Sequence, residues 1–407
     1  MRILHTSDFH IGKRLYSCER REEQQAVLKE LSDVCRRENV DLVLVAGDLF
    51  DNFNPSVASM SLLYDSLCDI ADGGKRPVIL IAGNHDSPDR IDMPDSFARK
   101  NGVFFLGNYD ALQQEIKLND RITIEKTAQN YMQLRFSDYD YPLQLIVTPF
   151  VNEQRLREKF DFENEENMLR DYLQQVWQQT VDTYATERGI KILMTHLFVL
   201  KDENDTTLEP EDENAINIGG LSAIYADNIP LQIQYTALGH LHRMQRVGKR
   251  NIWYSGSPLA YSFNEDEQQK YFLIADIEPE KEPVVRKLAI QSGIAIKNLT
   301  AESVEEALEV LSENQDYWVQ LRLITDKAIS YEQSSQLHSA HSRLLQIIPE
   351  IKSESIAGRQ RSKILELQDN PVELFSEFYK STHGGQEPDG TLTELFREVM
   401  NCKNETH

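Results

Sequence analysis

An α/β fold is predicted by three observations. Apolar runs of strand length, LVLVA at 42–46 and VILIA at 78–82, have the composition of strands buried on both faces. Segments with apolar residues at helical spacing lie between them. The apolar runs end repeatedly in residue types that hold metals or move protons: Asp48 after Gly47, Asn84 and His85 after Gly83, His196 after Thr195, and His240 and His242 after Gly239. A carboxylate just beyond a buried strand needs a cation or strong hydrogen bonds, because burying it bare is costly.

In chain order, residues 2–6 (RILHT) form a strand followed by Asp8 and His10. Their spacing sets both side chains on one side of an extended segment. D-x-H alone is a weak signal, and His5, inside the strand, reads as a satisfied core residue. A helix is predicted over 20–38 and a second over 56–71, the latter carrying Leu62, Leu63, Leu67 and Ile70. That second apolar face either packs within its own domain or forms a dimer surface. The strand opened by Pro77 ends in GNHD, a far more specific signal. Asn84 offers a neutral carbonyl oxygen to a metal, and His85 can donate a proton or steady negative charge.

Residues 103–106, 121–125, 131–136 and 143–148 read as further strands, partly antiparallel. The helix over 168–187 keeps the 3.6-residue rhythm through Leu169, Tyr172, Leu173, Val176, Trp177, Thr180, Val181 and Tyr184. Acidic stretches at 161–167 and 202–214 suit surface loops. The strand 190–194 leads to His196. The strand 234–238 leads to His240 and His242, whose spacing aims both imidazoles the same way. Arg243, Arg246, Lys249 and Arg250 follow at once, as candidate phosphate contacts or as an ordinary solvated hairpin. Residues 251–255 and 271–277 complete the sheets.

The length of 407 residues allows two or three domains. The character changes near residues 279–283. The expected division is a first domain over 1–280, a small α+β unit over 281–356 and a helical tail over 357–407. The middle unit has strands near 294–298 and 318–324, helices at 301–313 and 331–346, and a final edge strand. His338 and His341 are expected to face solvent. In the tail, a basic hinge (Arg359, Arg361, Lys363) precedes helical pieces at 371–380 and 391–401. Two short helices cannot bury their apolar faces alone, so they must dock on this protein or another.

The net charge of −23 opposes nucleic acid. If DNA is the substrate, metals, local basic patches or a partner supply the attraction. Cys18, Cys35, Cys68 and Cys402 are scattered without a C-x-x-C pair, which disfavours disulfides and a cysteine zinc site. No apolar run is long enough for a membrane helix, and the chain enters a strand without a leader, so a cytoplasmic protein with no membrane partner is expected.

Seven donors, Asp8, His10, Asp48, Asn84, His196, His240 and His242, exceed one tetrahedral zinc. They suit two six-coordinate ions with Asp48 as the natural bridge. Two divalent ions against two carboxylates leave a positive trap for phosphate esters, and such ions acidify water and clamp the attacking and leaving oxygens. Imidazole-rich donors favour a transition ion such as manganese over magnesium. His85 is then assigned to the leaving oxygen, as proton donor or charge stabiliser.

The set D-x-H, G-D-x-x-D, G-N-H-D, a lone strand-end His and G-H-x-H resembles the calcineurin-like metallophosphoesterase superfamily. More narrowly, MRILHTSDFHIGK, VAGDLFD, AGNHDS, ALGHLH, YSGSP and the late NPVELF resemble the SbcD family of nuclease subunits. The resemblance implies a four-layer αββα metallophosphoesterase sandwich, a small capping domain, and a C-terminal helical segment that binds the SbcC ATPase. It implies that Asp8, His10, Asp48 and His242 hold one ion and Asp48, Asn84, His196 and His240 the other, with His85 as the catalytic histidine. It also implies a homodimer through helices near 55–70 and 88–100, which gives Leu62, Leu63 and Leu67 a possible role there. The expected function is a two-metal DNA nuclease acting on double-stranded ends, hairpins and single strands in repair, recombination and replication, with ATP bound by the partner. The alternatives are a phosphodiesterase or phosphatase for small esters, or a non-catalytic scaffold, which would need none of the seven donors.

Overall fold

The computed structural model describes residues 1–108, 116–151, 168–203, 205, 223–266, 268–325 and 329–351, with a few isolated positions in the tail. Two sheets dominate. The first has the order Val284–Ala289, Tyr271–Asp276, Arg2–Thr6, Leu42–Val45, Val78–Ile81, Val103–Leu106. Its last four strands are parallel, and the first two join antiparallel. The second sheet is centred on Leu143–Thr148, Ile190–His196, Tyr235–Gly239 and Ile252–Tyr254, all parallel. Antiparallel strands Tyr131–Phe136 and Ile122–Ala128 extend it on one side.

The two-residue alternation of each strand builds the layers. Ile3, Leu42, Leu44, Ile79 and Ile81 of the first sheet meet Leu143, Leu145, Ile192, Met194 and Ala237 of the second in one apolar core. The opposite set, Leu4, Val43, Val45 and Leu80, packs under helices Arg21–Arg37 and Val57–Ala71. On the far side, Ile146, Leu193 and Tyr254 pack with Leu173, Trp177 and Val181 of helix Met168–Tyr184. The result is helix, sheet, sheet, helix. Among the described residues no helix is long and apolar enough to cross a membrane.

Several expectations change. Leu62, Leu63, Leu67 and Ile70 are buried in their own domain's core, so they are not a dimer surface. Exposed apolar side chains nearby in sequence are Val57 (79%) at the start of that helix, Met93 (70%) just past the short helix Pro88–Asp92, and Phe97 (82%) in Asp95–Ala98. The first sheet continues past residue 280, because Val284–Ala289 pairs along its whole length with Tyr271–Asp276. Beyond it, Trp318–Thr325 is the centre of a three-stranded sheet between Ile296–Ala301 and Leu344–Ile351. Helix Tyr331–Ala340 ends six residues earlier than the expected 346, where His341 takes an extended φ of −144°. His341 is consequently buried at the helix end, whereas His338 is exposed as expected.

The chain forms two compact units. The first comprises Met1–Leu299, Asn314–Gln320 and Arg343–Gln346; the second comprises Thr300–Glu313, Leu321–Ser342 and the residues from 347. The acidic stretch 161–167, most of 202–214, the basic hinge and most of both tail helices lie outside the described residues. Of the tail, Phe375 stacks on Phe396 with centroids 4.4 Å apart, which joins the two expected helical pieces.

Candidate metal centre

Parallel strands put their carboxyl ends on one edge, and that edge gathers the chemistry. Asp8 and His10 follow Arg2–Thr6, Asp48 follows Leu42–Val45, Asn84 and His85 follow Val78–Ile81, His196 ends its strand, and His240 and His242 follow Tyr235–Gly239. Close approach there needs small residues. A Cβ on Gly83 would run into the Asp48 side chain and backbone, and one on Gly47 into the His196 ring.

Four of these residues stand in the left-handed backbone region: Asp8 (φ 54°), His10 (43°), Asp48 (52°) and His240 (101°). Such conformations are costly for non-glycine residues and concentrate at functional sites. They also correct two expectations from spacing. Asp8 and His10 do not converge by strand alternation, because both sit in left-handed turns. His240 and His242 do not aim the same way either. His240 turns its Nδ1 to 3.1 Å from Asn84 Oδ1, while His242 Nε2 lies 3.0 Å from His10 Nε2.

Among the described residues, three groups bring their donor atoms within 4.8 Å of one another: Asp8, His10 and His242; Asp8, Asp48 and His196; and His10, Asp51 and His85. Asp48 Oδ2 is buried, has no hydrogen-bond partner, and lies 3.5 Å from both His10 Nε2 and His196 Nε2. His196 Nδ1 donates to the Ala46 carbonyl at 2.8 Å, which leaves its Nε2 lone pair 2.9 Å from Asn84 Oδ1. Acceptor thus faces acceptor there, and nitrogen faces nitrogen between His10 and His242. Each pair calls for a proton or a metal between its members. The mixed imidazole, amide and carboxylate set fits divalent transition ions.

Electrostatics tell the same story without a cation. Burial opposes charge on His196, but Asp48 and Asp8 outweigh it and lift the imidazole to about 9. Burial also opposes charge on Asp48, yet His196, His10 and His85 hold it well below the usual carboxylate range. Burial pushes Asp8 up to about 6 and His10 well below its ordinary value. A carboxylate cluster this dry is balanced only by positive charge.

Other residues support the donors. Asp86 accepts main-chain N–H groups from Leu49, Phe50 and Gly83, which pins the loops carrying Asp48 and Asn84 together. Ser7 donates to Asp8 and touches Ser255 at 2.7 Å. Glu265 lies 3.6 Å from His242 Nδ1 and pairs with Lys270. Sequence reading missed Glu265 and Lys270, which sit in the polar run FNEDEQQK; only their burial distinguishes them from neighbours. His85 is half-buried, with Nδ1 donating to the Asp51 carbonyl at 2.9 Å.

The basic cluster is divided. Arg250 spends its guanidinium on the carbonyls of Ala226, Ile229 and Pro230, and Arg246 donates to Arg250 and Lys249 carbonyls. Arg243 and Lys249 are exposed.

Residues 1–244 match the calcineurin-like phosphoesterase family, which binds divalent metals. The chain is 32% identical to the SbcD component of the SbcCD nuclease of Bacillus subtilis, across 98% of this chain and 97% of that one. It is also 32% identical to the SbcD component of Rhodobacter capsulatus over 65% of this chain and 64% of the relative. The figure for the SbcD component of Staphylococcus epidermidis is 27%, over 68% and 66%. A family match over more than half the chain, joined to a full-length relative, establishes that this chain belongs to the calcineurin-like phosphoesterase family, in its SbcD branch.

Proposed function

We propose that this chain is a two-metal DNA nuclease that works with an SbcC-like ATPase. The observation that carries the reading is the buried, unpartnered Asp48 Oδ2 midway between His10 and His196. In this reading Asp8, His10, Asp48 and His242 hold one ion, and Asp48, Asn84, His196 and His240 hold the other. The nitrogen-rich donors favour manganese. Bound ions supply an activated water and a clamp on the phosphodiester oxygens.

The chain's own residues do the rest. Asp48 orients both halves of the cleft. The Asp51 carbonyl fixes the His85 ring through Nδ1, so that Nε2 is the nitrogen that delivers a proton to the leaving 3′ oxygen. Arg243, Arg246 and Lys249 are the exposed members of the basic cluster, and Arg243 and Lys249 are the ones offered to phosphate because the Arg246 guanidinium already donates to main-chain carbonyls, alongside a partner that offsets the charge of −23.

A homodimer through the helices near 55–70 and 88–100 is supported by the exposed apolar side chains Val57, Met93 and Phe97 in those segments. The domain reading keeps a nuclease domain, a capping domain and a tail over 357–407 that docks on the ATPase, in the cytoplasm. The test incubates purified chain with manganese, a DNA hairpin and a small chromogenic phosphodiester, with and without the ATPase. Hairpin opening that depends on manganese supports the reading. Turnover of the small ester with intact DNA would replace it with small-ester hydrolysis. Partner binding by a chain lacking 357–407 would end the docking role of the tail.

A further inference from the structure

Two imidazoles of the donor cluster, His196 and His242, are oriented by different means. His196 Nδ1 donates to a main-chain carbonyl. His242 Nδ1 instead faces the Glu265 carboxylate, Oε1 at 3.6 Å. Glu265 is itself almost wholly buried and fully engaged. Its Oε1 accepts the N–H groups of Tyr261 at 2.8 Å and Ser262 at 3.2 Å, and its Oε2 pairs with Lys270 Nζ. Lys270 in turn donates to the His242 carbonyl at 3.0 Å and to Ser257 Oγ at 3.1 Å. Glu265, Lys270 and His242 thus form a closed loop of contacts, in which the cation holds the carboxylate in place and grips the histidine's own backbone.

We infer that Glu265 is a positioning residue for the metal half built on His242, with Lys270 as its anchor. The inference rests on the two-metal reading above. A carboxylate 3.6 Å from Nδ1 favours the tautomer with Nδ1–H, which leaves the Nε2 lone pair toward His10 Nε2, 3.0 Å away. The sequence gives no hint of this, since the two residues are 23 positions apart and Glu265 stands among other acidic residues. Glutamine at 265 cannot substitute. With its oxygen toward Tyr261 and Ser262, its amide N–H groups oppose Lys270. With its oxygen toward Lys270, they oppose two main-chain N–H groups and compete with His242 Nδ1–H. Either orientation sets donor against donor.

The test is manganese titration of the full chain, followed by calorimetry and by electron paramagnetic resonance, for wild type, Glu265→Gln and Glu265→Asp. Melts in chelator report whether each variant is folded. Expected for Glu265→Gln is one ion bound as in wild type and the other weakened about 10- to 100-fold, with loss of the spin-coupled pair signal. Glu265→Asp keeps the charge on Lys270 and is expected to recover part of that affinity, in the same single ion. A folded Glu265→Gln that binds both ions at wild-type affinity overturns the inference. If that variant does not fold, unaltered binding of both ions by Glu265→Asp overturns it instead. A wild-type chain that binds fewer than two ions overturns this inference and the two-metal reading together, whereas one that binds two yet cuts no DNA strikes the nuclease reading alone.

Discussion

The two halves of the cleft differ in what holds them. Around His196 the supports are main chain: the Ala46 carbonyl receives Nδ1, and Asp48 Oδ1 receives the His85 N–H at 2.9 Å. Around His242 the supports are side chains: Glu265 and Lys270 behind the imidazole, with Ser7 and Ser255 behind Asp8. A carbonyl cannot be removed by substitution, so this first half is disturbed by moving backbone, either at its glycines or through the Asp86 carboxylate that pins the two loops. The second half can be dismantled one side chain at a time. In the proposed two-metal reading, such a site has one stiff half and one that substitution can retune.

Asp48→Asn should break both halves at once, because Oδ2 stands equally near an imidazole of each. Cleavage is expected to fall at least about a thousandfold, and the melting temperature should stop rising with added manganese. Nuclease assays and melts with and without metal check this. A variant that keeps cleaving within about tenfold of wild type moves the shared carboxylate elsewhere.

His85→Gln should sharpen the comparison by touching neither half's donors. Manganese binding is expected to match wild type, while turnover drops roughly 100-fold or more. Loss of an ion in the same titration would transfer His85 from proton delivery to metal holding.

Gly83→Ala attacks the main-chain half by displacement. The added methyl meets the Asp48 side chain and backbone, so the Asp48 turn must shift. Urea unfolding in chelator should show a cost of about 1–3 kcal/mol. In metal titration the His196 half should weaken more than the His242 half, the reverse of Glu265→Gln. Equal weakening of both halves by both variants would erase the distinction.

The last effect concerns acid. His5 accepts the Tyr235 hydroxyl at Nδ1 and donates from Nε2 to the Leu238 carbonyl, and burial lowers it from 6.5 to about 3. The unfolded chain therefore takes up a proton below pH 6.5 that the folded chain refuses. Stability in chelator should decline as pH falls from about 6.5 toward about 3, and His5→Gln should flatten that limb. Burial opposes the charge of Glu265, but Lys270 and His242 hold it at about 2, so its contribution, full above 4.5, is lost only between 4.5 and about 2. Chemical unfolding at stepped pH separates the two ranges.

The strands, the three long helices and the recurrence of metal-binding residue types at strand ends were legible because each is a local signal. Apolar runs such as 42–46 announce burial on both faces, and a polar residue immediately after one marks a strand end. The reason the donors meet was not legible. Strand alternation suggested it for Asp8 with His10 and for His240 with His242, yet three of these four take left-handed backbone angles that only the surrounding packing sustains. Leu62, Leu63 and Leu67 show the same limit, since an apolar stripe does not say whether its cover is one's own sheet or another copy.

By itself the sequence determined which residue types end which strands, and hence the layered α/β architecture and the chemical class of the cleft. Periodicity and side-chain chemistry are properties of short segments and survive without knowledge of the rest. Only the tertiary structure decided how each donor is aimed and what stands behind it. Glu265 and Lys270 became visible as supports of His242 once folding buried them, because the dry interior turns an ordinary acid and base into a fixed pair that water would otherwise screen.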